Sequence, residues 1–251
     1  ILMVHGLGDE ADTWRHVFFP LAQNYHVIAL DLPGFGRSVK PNQKYTPEYL
    51  KNAIMGLLDQ LEIKKTILMG SSLGGILSHA IALGNPSRIE GLILVGGALL
   101  QSGLKGIGLN LMRIPLLGEF IYTSLRKDPD AAYKTLESFY YDLNRLPKAD
   151  QDFLFLRVNQ RVWSDGQRRA YFSTLRNLVP WVRKQQKGLE SILANVEIPT
   201  FIVRGKYDPL FSPADAQRLL TVQPHTTLIQ IDSAGHLPQQ EAPGVFLPPI
   251  Y

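Results

Sequence analysis

Ser72, Asp208 and His236 are a hydroxyl, a carboxylate and an imidazole far apart in the chain, and each follows closely on a short apolar run. Ser72 is centred in Gly70-Ser71-Ser72-Leu73-Gly74-Gly75, between the apolar run Thr66 to Met69 and the helical pattern Leu73 to Leu83. A serine nucleophile needs such a tight strand-to-helix turn, with glycines two residues either side to avoid collisions. The turn also puts the Leu73 N–H at a helix start, where partial positive charge favours a developing oxyanion. Ser71 is not centred between the glycines, so Ser72 is the candidate. His236, in Ser233-Ala234-Gly235-His236-Leu237, is the candidate base, and Asp208, in Gly205-Lys206-Tyr207-Asp208-Pro209, its carboxylate partner. The order Ser, Asp, His suits nucleophilic acyl transfer on a parallel sheet. After the run Leu92 to Val95 the chain reads Gly96-Gly97-Ala98 and offers no carboxylate, which favours Asp208.

A second oxyanion donor is expected from His5-Gly6-Leu7-Gly8, with the Leu7 N–H as first choice and Gly8 as fallback. His5 is read as holding this loop. His16, His26, His79 and His225 lack a comparable setting and are read as structural. Asp31, in Asp31-Leu32-Pro33-Gly34-Phe35-Gly36-Arg37-Ser38, is accounted for by turn chemistry, with Arg37 supporting the same loop.

The elements that must position these residues alternate. Apolar runs at Ile1 to Val4, His26 to Leu30, Thr66 to Met69, Leu92 to Val95, Thr200 to Val203 and Thr227 to Ile231 read as buried parallel strands. Helical spacing covers Ala11 to Asn24, a segment capped by Thr46 with Pro47 at its first position, Leu73 to Leu83, and Pro213 to Leu220. This predicts an α/β fold, a mostly parallel doubly wound sheet covered on both faces, with a helical cap inserted after the fourth strand. The core is assigned to 1–102 and 188–251, and the cap or lid to 103–187. A closing helix is expected over the tail, but Pro243 and Pro248-Pro249 oppose one there. The start on Ile1 inside a strand and this tail suggest that the termini are truncated.

Composition sets the remaining bounds. The chain has 251 residues, 45% hydrophobic and 19% charged, as in an ordinary globular protein long enough for one large domain. With no cysteine it has neither a thiolate nucleophile nor a disulfide, and it fits a reducing, cytoplasmic setting. No apolar run is long enough to span a bilayer. The net charge of +4 is uneven: residues 103–187 carry 15 Lys/Arg against 8 Asp/Glu. These charges are read first as solvated helix faces, with contact to anions or a membrane surface as the alternative. Nothing accompanies them that would indicate nucleic-acid binding. Leu104 to Tyr122, interrupted by Lys105 and Arg113, is amphipathic and could form a lid.

The stretches HGLGDEADTW, DLPGFGRS, GSSLGG, GKYDPLFSP and SAGHLPQQEAP together resemble the α/β-hydrolase superfamily. They run over nearly the whole length apart from the cap. The resemblance implies an eight-stranded sheet, of which this chain would supply six from the third onward, leaving an apolar sheet edge. It implies a serine hydrolase without cofactor or metal, acting on a small, apolar acyl substrate through Ser72, His236 and Asp208, with Leu7 and Leu73 as oxyanion hole. Serine rather than aspartate at the turn disfavours the epoxide hydrolase and haloalkane dehalogenase branches. Carboxylesterase or lipase activity, C–C bond hydrolysis of ring-cleavage products, and a hormone-receptor role on the same fold all remain consistent with these residues.

Overall fold

The computed structural model describes residues 1–102 and 107–250. Six strands form one parallel sheet: β1 (Leu2–Val4), β2 (Ile28–Leu30), β3 (Thr66–Ser71), β4 (Ile89–Val95), β5 (Thr200–Gly205) and β6 (Thr226–Ile231), in the order β2-β1-β3-β4-β5-β6. Every pairing is parallel, so all the strands end at one edge. Side chains alternate across a strand, and the core divides accordingly. Leu2, Val4, Leu68, Leu92, Leu94 and Ile202 pack on one face, whereas Met3, Met69, Ile93, Val95 and Val203 pack on the other.

The first face is covered by α2 (Pro47–Gln60), α3 (Leu73–Gly84) and α10 (Pro213–Val222), through Leu50, Ile54, Leu77, Ile81 and Leu219. The second is covered by α1 (Arg15–Ala22), with Trp14, Val17 and Leu21 buried, and by the C-terminal segment through Phe246 and Ile250. Thr46 accepts from the Tyr49 N–H at 3.1 Å and Pro47 opens α2. At the start of α1 the chain departs from the predicted helix, since Ala11–Trp14 form a 3-10 turn. The tail also differs from expectation. Two short helices, α11 (Pro238–Glu241) and α12 (Pro243–Phe246), and a 3-10 turn at Pro248–Ile250 cover the sheet. Pro238, Pro243 and Pro248 each open an element, where a missing N–H costs nothing, so the prolines divide the closing helix rather than prevent it. At the sheet edge, β2 leaves Ile28 and Ala29 half-buried.

Between β4 and β5 the described chain holds only helices: α4 (Ile107–Arg113), α5 (Leu117–Ser124), α6 (Pro129–Lys134), α7 (Lys148–Trp163), α8 (Asp165–Gln185) and α9 (Leu189–Leu193), with short 3-10 turns. These helices fall where the sequence places a helical insertion, with α9 beyond its expected end at 187; residues 103–106, including Lys105, lie outside the described residues. The Gln186 side chain donates to Leu99 O at 2.9 Å and Gln101 O at 2.6 Å, tying the exit of the insertion to its entrance.

Candidate active site

The turn at Ser72 is built by close backbone approach. Ser72 lies at φ +52° and ψ −113°, a region costly for a residue with a side chain. Its N–H donates to Val95 O at 2.8 Å, fixing it to β4. A Cβ at Gly74 would lie 2.1 Å from Val4 O, and one at Gly70 would lie 2.3 Å from Gly74 O. The crossing of α3 over β1 and β3 therefore requires glycine at both positions. Gly97 has the same role on the β4 side, where a Cβ would meet Ser72 O at 2.4 Å.

Asp208 and His236 lie on the loops after β5 and β6 and are brought together. His236 Nδ1 is 2.9 Å from both Asp208 carboxylate oxygens. Asp208 Oδ1 also accepts the N–H groups of Leu210 (2.8 Å) and Phe211 (3.0 Å), so the carboxylate is oriented by three donors. Both side chains are buried. His236 Nε2 has no hydrogen-bond partner among the described residues, although it is buried. A Cβ at Gly96 would lie 3.0 Å from both Asp208 Oδ2 and His236 Nδ1. Gly96 and Gly97 are adjacent, so this dipeptide touches the Asp208–His236 pair on one side and the Ser72 backbone on the other.

Leu73 follows Ser72 directly, and Leu7 follows Gly6 in the loop after β1. Leu73 is the first residue of α3, whose leading N–H groups have no partner within the helix. Among the described residues, neither the Leu7 nor the Leu73 N–H takes part in a loop or cap hydrogen bond. A Cβ at Gly6 would lie 3.2 Å from Ser72 Cβ, which brings the loop after β1 alongside the serine. His5 holds this loop. Its Nε2 accepts the Leu32 N–H at 2.9 Å, so Nδ1 is the protonated nitrogen and donates to Gly6 O at 2.7 Å. Burial lowers the pKa of His5, which keeps this tautomer neutral. Asp31 accepts from the N–H groups of Ala11 (2.7 Å) and Arg37 (2.8 Å), as its turn suggested.

Two groups of residues near the site were not legible in the sequence. The insertion is pinned to the His236 loop by main chain: His236 N donates to Phe139 O at 2.7 Å, and Glu241 accepts from Tyr141 N (2.6 Å) and Gly235 N (2.8 Å). Ion pairs grip the loop after β1. Arg161 of α7 reaches Asp9 at 2.8 Å and Glu10 at 2.6 Å, and Arg157 pairs with Glu10 as well. Glu10 is buried, which alone would raise its pKa, but the two guanidinium groups outweigh burial and hold it below its usual range. From the other side, Arg15 and His16 of α1 each approach Asp150 of α7 at 2.9 Å. Over the loop sits Tyr171, within 3.1 Å of where a Gly8 Cβ would be, with Tyr122 at 5.7 Å between ring centres. Burial pushes both phenols up to about 12, so both stay neutral. Among the described residues no group of three or more His, Asp or Glu is placed to hold a metal ion.

The family description "alpha/beta hydrolase fold" matches residues 1–243, and the chain belongs to that family. An uncharacterized protein of Mycobacterium tuberculosis is 29% identical, covering 98% of this chain and 72% of its own. The 2-hydroxy-6-oxononadienedioate/2-hydroxy-6-oxononatrienedioate hydrolase 2 of Pseudomonas putida is 28% identical, covering 96% of this chain and 82% of its own. Among solved structures, the 2-hydroxy-6-oxo-6-phenylhexa-2,4-dienoate hydrolase of Rhodococcus sp. strain RHA1 superposes with a TM-score of 0.78 at 22% identity, over 99% of this chain and 88% of its own. A thermophilic esterase from Thermogutta terrifontis gives a TM-score of 0.74 at 22% identity, over 99% and 86%.

Proposed function

We propose that this chain is a serine hydrolase that cleaves a carboxylic ester or a related carbonyl compound through an acyl-enzyme. The observation that carries the reading is the buried Asp208–His236 pair, whose outer nitrogen lacks a partner among the described residues, with a serine held at φ +52° on the other side of Gly96-Gly97. A buried imidazole nitrogen left without a partner is costly unless a reacting group uses it.

In the proposed cycle His236 Nε2 takes the Ser72 proton as Oγ attacks the carbonyl carbon. Asp208 fixes the tautomer and stabilises the imidazolium. The Leu7 and Leu73 N–H groups receive the oxyanion, and removing one such donor costs about 3 kcal/mol in comparable sites. His236 then protonates the leaving oxygen, and water, deprotonated by the same nitrogen, releases the acid. No cofactor enters. The insertion acts as the cap over residues 103–187, and the neutral, half-buried Tyr171 beside Gly8, with Tyr122 against it, favours a small apolar acyl group.

A second reading, hydrolysis of a carbon–carbon bond in a 2-hydroxy-6-oxo-dienoate, draws support from the names of relatives 28% identical over 96% of this chain. The ketone of such a compound offers the same triad a carbon to attack.

A panel of p-nitrophenyl esters of graded chain length, run with wild type and Ser72→Ala, tests the proposal. Short-chain esters should turn over, and the variant should lose at least about four orders of magnitude in kcat. Unchanged turnover in Ser72→Ala would remove Ser72 as nucleophile. Inert esters together with loss of the dienoate chromophore would favour the second reading, and binding without turnover of either would end both.

A further inference from the structure

The hairpin of α4 and α5 carries large apolar side chains that the other described residues leave exposed. Leu116 is 84% exposed and Phe120 72%, with Ile114, Leu111 and Leu117 also exposed. The hairpin is firmly attached nonetheless. A Cβ at Gly118 would lie 2.1 Å from Met112 O, so the two helices are in backbone contact. Arg176 of α8 donates to Arg113 O at 3.1 Å and Ile114 O at 3.4 Å, and grips both Glu119 carboxylate oxygens at 2.6 and 2.8 Å. Leu116, at the tip, has φ +69°, a conformation leucine rarely adopts. These side chains are therefore displayed by a fixed turn.

Arg176 also lines an open pocket of about 430 Å³ beside the hairpin, together with Lys44, Arg168, Arg169 and Asn177. Among the described residues Glu119 is the one carboxylate in its wall, and Arg176 already neutralises it. Among the described residues, Lys44 and Arg169 make no ion pair. An apolar tip and a concentration of cations thus share one guanidinium as their common wall.

We propose that the α4–α5 hairpin and this basic pocket form a docking surface for an anionic lipid bilayer. Apolar side chains enter the boundary between headgroups and acyl chains, and the cations meet headgroup phosphates. Charge argues for this occupant over two others. A second copy of the chain docking through the same face would bring the two sets of Lys44, Arg168 and Arg169 together. A soluble anion would use the pocket but have no use for Leu116 and Phe120. Among the described residues no helix can cross a membrane, so the contact is with its surface. This surface lies outside the triad, and the inference stands whichever substrate is cleaved.

Co-sedimentation with phosphatidylcholine vesicles, with and without phosphatidylglycerol, tests the proposal. Anionic vesicles should pellet the protein at least about tenfold better than neutral ones, with the difference shrinking as salt is added. Leu116→Ser/Phe120→Ser should lower the anionic partition at least about tenfold. Lys44→Ser/Arg169→Ser should lower it by about fivefold or more and leave the neutral partition unchanged. All four side chains are exposed, and matching melting temperatures show that the variants remain folded. No binding to anionic vesicles, or binding untouched by both variants, overturns the proposal. So does a dimer in sizing that Leu116→Ser/Phe120→Ser dissolves without any vesicle binding, which would assign the face to a second copy. Stabilisation by inorganic phosphate, lost in Lys44→Ser/Arg169→Ser without vesicle binding, would reduce the pocket to a site for free anions.

Discussion

The turn around Ser72 and the joint where α7 meets α1 and the loop after β1 are made of different materials. At the turn, contact is backbone against backbone, through glycines whose neighbours leave no room for a methyl group. At the joint, contact is made by long charged side chains, such as Arg157 and Arg161 on Asp9 and Glu10, and Arg15 on Asp150. The first kind of contact is rigid and tolerates no substitution. The second is adjustable, responds to pH, and varies with how deeply each pair is buried.

The largest test of this contrast lies at the turn. Asp208→Asn should lower ester turnover by about four orders of magnitude with little change in melting temperature, because the wrong tautomer of His236 then faces Ser72. A near-normal rate would remove Asp208 from the site. Gly74→Ala should cost more than about 3 kcal/mol in urea unfolding, since Val4 O and His5 O cannot move without shifting β1. Retention of wild-type stability would mean that the backbone approach is looser than described.

At the joint, Arg161→Met should cost about 3–5 kcal/mol, because Asp9 loses its partner and buried Glu10 keeps only Arg157. A cost below about 1 kcal/mol would place this pair with ordinary surface ion pairs. The core contributes its own pH dependence. Burial holds His79 down to about 4 from 6.5, with Gln223 pulling weakly the other way. The unfolded chain therefore binds a proton that the folded one refuses between those values. Stability is complete above 6.5 and falls by about 3 kcal/mol as the pH drops to 4. Urea midpoints across this range should show a shallower slope in His79→Gln, and an unchanged slope would exclude His79 as the cause. The smallest effect should come from Gly56, in the middle of α2 with nothing within 4 Å of a Cβ. Gly56→Ala should raise stability by up to about 1 kcal/mol, measured by thermal unfolding, which separates this helical glycine from Gly74.

Legibility in the sequence follows the same division. The strands and the Ser72 turn are written in local patterns: short apolar runs, glycines at fixed offsets, and loops closing on Asp208 and His236. Gly96-Gly97 was legible only as the absence of a carboxylate, although its bareness makes room for the Asp208–His236 pair. The grip of Arg161 on Glu10 spans 151 residues and has no local signature. The pinning of His236 by Phe139 O is main chain and could be matched by any residue type. In the tail, Pro238, Pro243 and Pro248 stand at the first position of their helices, where proline is favoured as it is at Pro47 of α2, and none stands in the helix interior that proline excludes.

The Gln186 staple has an evolutionary consequence. Because its amide joins Leu99 O and Gln101 O, the helical insertion leaves and re-enters the sheet layer at a single point. The six strands therefore need not register how long that excursion is, or what it contains. A lineage can lengthen, shorten or replace it as an exchangeable module while inheriting the same sheet and the same strand ends.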